Sequence, residues 1–434
     1  MGDFAAAGEP PLDRAVERSI SLLKGVFGVD EPRDFTVRFW NGAAWGPAVS
    51  SQARFTLVLR HPGALRRMLW RADELTVGEA YLYDDVDVEG DIAALVEMAD
   101  QLLTRPAGLG ARLRAARDLL SLPGDNRPRH GRQGARLRGA LHSRGRDRQA
   151  IAYHYDVSND FFALWLDRRM VYSCAYFPTE EASLDTAQER KLEHICRKLR
   201  LRPGERLLDI GCGWGALVIH AAQRHGVEAL GITLSRAQAE LANRRIEEAG
   251  LAARCRVECR DYRDLADREA FDKIASVGMF EHVGEAKLPE YFGRAWTLLR
   301  PGGAFLNHGI AFTRPQPVRR GPTFFDRYVF PDGELVALSA TLRAAESGGF
   351  EVRDVESLRE HYALTLRHWL ARLEERHAEA RRVADEVAYR VWRLYMALAV
   401  HQFTSGRTTI YQTLLSKPDR GASGLPLTRA DWYG

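Results

Sequence analysis

Residues 207–215, LLDIGCGWG, constrain the fold more than any other stretch of the chain. An apolar run reaches Asp209, and Gly211, Gly213 and Gly215 then alternate into ALVIHAA, whose periodicity predicts a helix. Glycines at that spacing let backbone N–H groups approach a ligand where a Cβ would clash, at the carboxyl edge of a parallel sheet. The spacing is G-x-G-x-G rather than G-x-G-x-x-G, and no Lys-Ser/Thr pair follows it as a phosphate loop requires. The motif therefore favours S-adenosylmethionine over NAD or ATP as the nucleoside cofactor.

Downstream segments continue the same sheet. Residues 227–238, VEALGITLSRAQ, read as a second strand ending in Thr233 and Ser235, with Gln238 on the next helix. Dinucleotide folds usually place an acid there to hold the ribose, whereas this chain offers hydroxyls and an amide. A third strand, RCRVECRDY, ends at Asp261, where a carboxylate could accept the adenine amino group. A fourth, FDKIASVGMFEHVG, carries Glu281 and His282 past its apolar run, and a fifth, GAFLNHGI, follows the turn Arg300–Gly303 and carries His308. FEVRDVESL (350–358) and TTIYQTLL (408–415) read as the last two strands. Strands separated by amphipathic helices predict an α/β, doubly wound, Rossmann-like domain. Gly215 is assigned to close helix–strand packing rather than to the ligand.

These residues resemble a known family. YHYDVSNDFF (153–162), MVYSCAYF (170–177), LLDIGCGWG, GITLSRAQ (231–238), RDYRD (260–264), GMFEHVG (278–284) and HYALTLRHW (361–369) are similar to cyclopropane-fatty-acyl-phospholipid synthases and the related mycolic-acid methyltransferases. The resemblance extends to LTVGEAYLYDDVDVEGD (75–91). It implies a class I methyltransferase domain that adds a methylene carbon from S-adenosylmethionine to a cis-unsaturated phospholipid acyl chain. It also implies a homodimer. The rival product within the same family is a methylene- or methyl-branched chain of the 10-methyl type, made from oleoyl phospholipid.

The chain organisation follows from pattern and composition. At 434 residues there is room for two substantial cores. Residues 1–98 read as a small α+β domain for lipid docking or dimerisation, with FTVRFW and ARFTLVLRH as strands and helices around Ala64–Trp70 and Ile92–Leu103. Residues 99–148 read as a connector broken by Pro106, Pro123 and Pro128. Its arginines, from Arg105 through Arg127, Arg129, Arg132, Arg136, Arg138, Arg144 and Arg146 to Arg148, outnumber its acids. Such an excess either holds the protein on anionic headgroups, at about 1 kcal/mol per charge, or is a solvated linker. No nucleic-acid recognition module accompanies it. Residues 149–434 read as the catalytic domain, with helical periodicity from His361 to Ser405 inserted between the last two strands as a lid. The lid and the aromatics of 313–334 (Phe324, Phe325, Tyr328, Phe330) would cover the cleft for a long apolar substrate. No apolar run reaches the roughly 18 residues needed to span a bilayer, and no signal-peptide core is evident. The expected location is cytoplasmic, peripheral on the inner face of the membrane. The five cysteines, Cys174, Cys196, Cys212, Cys255 and Cys259, lack metal spacing with histidines, so no metal site is expected.

The chemistry sets further demands. A sulfonium methyl is a strong electrophile, and an isolated alkene attacks it if held in line and dry. The carbocation left on the chain needs aromatic faces, for which Tyr172, Phe177, Tyr328 and Tyr362 are candidates. A base must then take a proton from the new methyl group so that the ring closes. The family resemblance implies that bound bicarbonate is that base, held by Cys174 in YSCAY, Glu281 in MFEHVG, His308 in LNHGI and Tyr362 in HYALT, with the Ile310 backbone nearby. Glu281 would then accept the bicarbonate hydroxyl and raise its basicity, or it contacts the cofactor instead. His282 is a rival base that an extended backbone would point away. Tyr172, Ser173, Gly211, Gly213, Thr233, Gln238 and Asp261 are the expected cofactor contacts.

Overall fold

The computed structural model describes residues 13–28, 33–47, 53–71, 73–104, 109–124, 129–155, 157–314 and 322–433. Arg105, Pro106, Arg127 and Pro128 of the expected connector, and residues 315–321 of the expected cover, lie outside them. The chain separates into two compact units, 1–131 and 132–434.

The first unit is built on four strands, β1 (Phe35–Arg38), β2 (Ala44–Trp45), β3 (Phe55–Leu59) and β4 (Val86–Gly90), in the order β2-β1-β3-β4. Phe35 and Val37 alternate inward along β1, and Phe35 stacks on Phe55 of β3 at 5.4 Å. Helices Ala64–Leu69 and Glu74–Leu82 connect β3 to β4, the second capped by the Asp73 side chain on the Thr76 N–H. β2, β4 and the helices Arg14–Phe27 and Glu74–Leu82 were not read from the sequence. The stretch 99–148 is divided between the units. Leu109–Ser121 is a helix that Arg18 and Arg66 tie to the first unit by bonds to the Ser121 and Leu122 carbonyls, and Arg144–Tyr155 is a helix of the second.

The second unit carries β5 (Arg206–Ile210), β6 (Glu228–Thr233), β7 (Cys255–Cys259), β8 (Phe271–Val277), β9 (Leu299–Phe312), β10 (Val336–Ala337), β11 (Glu351–Ser357) and β12 (Thr408–Ser416). Their order is β11-β12-β9-β8-β5-β6-β7, with β12 antiparallel to both neighbours and β10 pairing outside this path with β9. Alternation along β5 sends Leu207 into one core and Leu208 into the other. The first core holds Leu192 and Ile195 with Leu217 and Val218, while the second holds Tyr291, Phe292 and Phe305, so helices cover both faces. The doubly wound expectation is met. Arg300–Gly303, expected as a turn, is instead the irregular opening of β9. Its pairing with β8 jumps between Phe271 and Lys273, while Gly302 and Gly303 still exchange bonds with Lys417. Between β11 and β12 the expected helical insertion is three helices, Arg359–Glu375, His377–Val383 and Glu386–Thr404.

Candidate active site

The site is assembled at the carboxyl ends of β5, β6, β7 and β8. Two adjoining clefts of about 790 and 530 Å³ meet there, sharing Tyr155, Gly211, Gly213, Gln238 and Gly278. Thr233, Asp261 and His282 line the larger one, and Tyr172, Ser173, Lys191 and Asp209 the smaller. All seven residues expected to touch the cofactor therefore line one continuous hollow. Gly213 has φ +54° and nothing within 4 Å of where a Cβ would stand, so its backbone faces open space. Gly215 differs, because a Cβ there would stand 3.0 Å from that of Ala242 on the Arg236–Glu248 helix, the packing role expected of it.

Thr233 Oγ1 donates to Gln238 Oε1 at 2.7 Å, which leaves Gln238 Nε2 buried without a partner. Asp261 is clamped. Arg263 donates to both of its oxygens at 2.9 and 2.6 Å and also reaches Asp147 at 2.8 Å, so the carboxylate meets a ligand already paired. At the other end, Lys191 Nζ donates to Ser173 Oγ at 2.8 Å. Burial draws the Lys191 amine down to about 8 and pushes Asp209 up to about 7. Asp209 Oδ1 has no partner. A hollow with unpartnered polar atoms and opposed charges suits a polar, zwitterionic ligand such as S-adenosylmethionine.

Of the residues expected to hold an anion, Cys174, Glu281, His308 and Tyr362 are buried and Ile310 is half-buried. Glu281 sits in a 3-10 turn, Phe280–His282, after β8. Its Oε1 accepts from the Ile310 N–H at 2.7 Å and its Oε2 has no partner. Burial pushes its carboxyl up to about 7. Gln412 of β12 stands opposite His308 of β9 and donates its Nε2–H to His308 Nδ1 at 3.3 Å. That bond places the ring proton on Nε2, a buried donor with no partner. The Cys174 thiol donates to the Ala175 carbonyl at 3.2 Å and approaches Leu358 O at 3.7 Å, the carbonyl that receives the Tyr362 N–H at 3.0 Å. Burial holds the thiol well above its usual range, so it is a donor. The Tyr362 hydroxyl is raised, first by burial and then by the neighbouring Tyr395. Glu281 keeps an unpartnered acceptor and His308 an unpartnered donor, the two kinds of group a bicarbonate ion needs, and none of Cys174, Glu281, His308, Ile310 and Tyr362 lines either cleft. The Ile310 N–H is committed to Glu281.

Three expectations change. The backbone at His282 turns rather than extends, so this ring faces the larger cleft, and burial depresses it to about 4. Phe177 stacks on His368 at 5.5 Å and Tyr328 on Phe324 at 5.6 Å, and of the four expected aromatics only Tyr172 lines a cleft. Tyr172 and Tyr362 do converge, at 5.3 and 6.0 Å from the Trp369 ring. Tyr155, Lys191 and Tyr395 are site residues that sequence reasoning missed. Tyr395, on the Glu386–Thr404 helix, stands beside Tyr172, Tyr362 and Glu281, and its hydroxyl is pushed up to about 12 by burial. A lysine in register with the buried positions Leu184, Gln188 and Ile195 was the available signal for Lys191.

Residues 142–413 match the family described as mycolic acid cyclopropane synthetase, and residues 22–103 match a domain of unknown function, DUF7884. The chain is 39% identical over 401 residues to a protein of Pseudomonas putida named "Probable fatty acid methyltransferase", covering 92% of this chain and 95% of that one. It is 39% identical over 285 residues to the tuberculostearic acid methyltransferase UfaA1 of Mycobacterium tuberculosis, covering 63% and 66%. The crystal structure of the mycolic acid cyclopropane synthase CmaA1 complexed with SAH and CTAB covers 62% of this chain and 97% of that one, at 32% identity and a TM-score of 0.58. With the glycine loop, the sheet order and the buried acid, thiol and imidazole in place, the chain belongs to the mycolic acid cyclopropane synthetase family of S-adenosylmethionine-dependent, lipid-modifying methyltransferases.

Proposed function

We propose that the protein transfers a carbon from S-adenosylmethionine to the cis double bond of an unsaturated fatty acyl chain on a membrane phospholipid and closes it to a cyclopropane. The observation that carries this reading is the buried aromatic shell around Tyr172, where Phe162, Trp165, Trp369 and Trp392 lie 5.3–6.0 Å from its ring. Aromatic faces stabilise a cation on the chain, and their packing excludes the water that would trap it. S-adenosylmethionine supplies, when bound, the electrophilic methyl, and bicarbonate supplies, when bound, a proton acceptor. Lys191 and Asp209 would hold the amino-acid end of the cofactor. His308 and Tyr362 would donate to the anion, as would Cys174 on turning its S–H from the Ala175 carbonyl, Glu281 would accept from it, and Ile310 would act by orienting Glu281.

A second reading is a methylene- or methyl-branched product, favoured by the fatty acid methyltransferase and tuberculostearic names of the relatives above. Both products share the cation and differ in which proton leaves. Incubation with the cofactor, bicarbonate and oleoyl-phospholipid vesicles, followed by fatty-acid mass spectrometry, separates them. A CH2 gain resistant to dimethyl disulfide supports the ring, and a gain with a reactive olefin supports the branch. No gain on any unsaturated lipid rejects both.

Access to the bilayer belongs to the same proposal, as does a peripheral homodimer on the inner face. No helix of the described residues is long and apolar enough to cross a membrane. Several arginines of the basic stretch have partners within their own unit: Arg129 pairs with Glu79, Arg144 with Asp264 and Arg146 with Asp332. Arg136, Arg138 and Arg148 are exposed. In the first unit Leu113 and Leu120, seven residues apart on one helix, are 65% and 56% exposed, which suits contact with lipid. Replacing Arg136, Arg138 and Arg148 with Gln is expected to weaken binding to anionic vesicles by up to about 3 kcal/mol in total and to flatten its salt dependence. Co-sedimentation checks this, and unchanged binding rejects these arginines as the contact.

A further inference from the structure

Away from both clefts, the helices flanking β5 gather a second set of side chains with ligand chemistry. Cys196 lies on the Leu184–Leu199 helix, and His220 and His225 on the Ala216–His225 helix. The sulfur and one nitrogen of each ring lie within 4.8 Å of one another. None of the three lines either cleft. In sequence they are 24 and 5 residues apart, which matches no zinc-finger spacing, and it is the packing of the two helices side by side on one face of the sheet that brings them together.

Glu193 organises the two rings. Its Oε2 contacts His220 Nε2 at 3.1 Å and His225 Nε2 at 3.2 Å, and its Oε1 accepts from Arg197 at 2.8 Å. Where a carboxylate oxygen accepts from both rings, each ring carries its proton on Nε2 and, when neutral, keeps its lone pair on Nδ1. This is the relation in which an outer carboxylate fixes the tautomer of metal-binding imidazoles. Cys196 is fully buried, with its sulfur within reach of both rings.

We propose that Cys196, His220 and His225 bind a zinc-class divalent ion, with Glu193 orienting both rings from outside. A thiolate with two imidazoles selects a borderline d-block ion over Mg²⁺ or Ca²⁺. The cysteine loses one proton to solvent as its sulfur becomes a ligand, and both histidines bind neutral. Three protein ligands leave a fourth position for water, on the side where His225 and Glu193 remain partly exposed. The ion would staple the helix before β5 to the helix that follows the glycine loop.

The test uses the tag-free, full-length protein and Co²⁺ as a spectroscopic probe, displaced by Zn²⁺. One equivalent of Co²⁺ is expected to give a sulfur-to-cobalt charge-transfer band, and one equivalent of Zn²⁺ to abolish it and raise Tm. Cys196→Ser should lose the band. Glu193→Gln should keep it with affinity lowered about 10–100-fold. His220→Asn and His225→Asn should each weaken binding further, with S-adenosylmethionine binding unchanged as evidence of folding. Should Cys196→Ser not fold, the two histidine variants, which keep the thiol, decide the matter. Absence of the band in the natural protein, or equal affinity in the histidine variants, reduces the cluster to an ion-pair network and overturns the proposal.

Discussion

Glu281→Gln is expected to leave S-adenosylmethionine binding intact while lowering turnover about 10²–10⁴-fold, the range for loss of a positioned acid–base group. The substitution keeps the shape and the contact with the Ile310 N–H, since the amide oxygen can still accept there. It replaces the unpartnered Oε2 with an NH2 that can only donate, or leaves a carbonyl that carries no charge. The natural carboxyl is pushed up to about 7 by burial, so its accepting, ionised form fills as pH rises through 7. The kcat/KM profile should therefore climb about tenfold per pH unit below that point, and the variant should lose this limb. Stability runs the other way. Because the folded carboxyl holds its proton more tightly than the unfolded one, its contribution to folding is full below about 4.5 and is lost as pH rises through about 7. Unchanged turnover, or the same ascending limb in the variant, would remove Glu281 from the mechanism.

What the chain discloses before folding depends on the range of the interaction. Period-2 and period-3.6 patterns are local, and the seven strands of the large sheet's main path were legible from them, as was the close packing at Gly215. β10, two residues paired to the flank of β9, gives no such signal. β4 hid in a run where Asp87 and Glu89 alternate with Val86 and Val88, because acids depress strand propensity even when the pleat points them outward. Residues within motifs were legible for the same reason as the strands. Tyr395 was not, since its side chain meets Tyr172 and Tyr362 only through the packing of the Glu386–Thr404 helix on the Arg359–Glu375 helix. Paired states were equally hidden. Asp261 reads as a free acceptor until Arg263, two residues on, curls back to hold both of its oxygens. The Cys196, His220 and His225 cluster shows the limit most clearly, because its ligands share no motif and are joined only by two helices lying against one face of the sheet.

Trp369→Ala tests whether the aromatic shell serves the chemistry or only the core. The indole is fully buried and stands 5.3 Å from Tyr172, 6.0 Å from Tyr362 and 5.4 Å from Trp165. Its loss should cost about 3–5 kcal/mol of stability through lost burial and the cavity left behind. That cavity would not stay dry. The Trp165 Nε1–H is buried without a partner, and together with the Tyr172 and Tyr362 hydroxyls beside Tyr395 it would offer a water the two to four polar contacts it needs. Water beside the cationic chain competes with proton loss, so the variant should divert product to a hydroxylated acyl chain while total consumption of S-adenosylmethionine falls less than cyclopropane or branched product does. Trp369→Phe keeps an aromatic face and most of the volume, and should recover much of the stability with little alcohol formed. Denaturant titration reads the first effect and mass spectrometry of the released fatty acids the second. If Trp369→Ala loses stability and yields no alcohol, water exclusion is not this ring's task, and its worth lies in packing the Arg359–Glu375 helix against the rest of the catalytic unit.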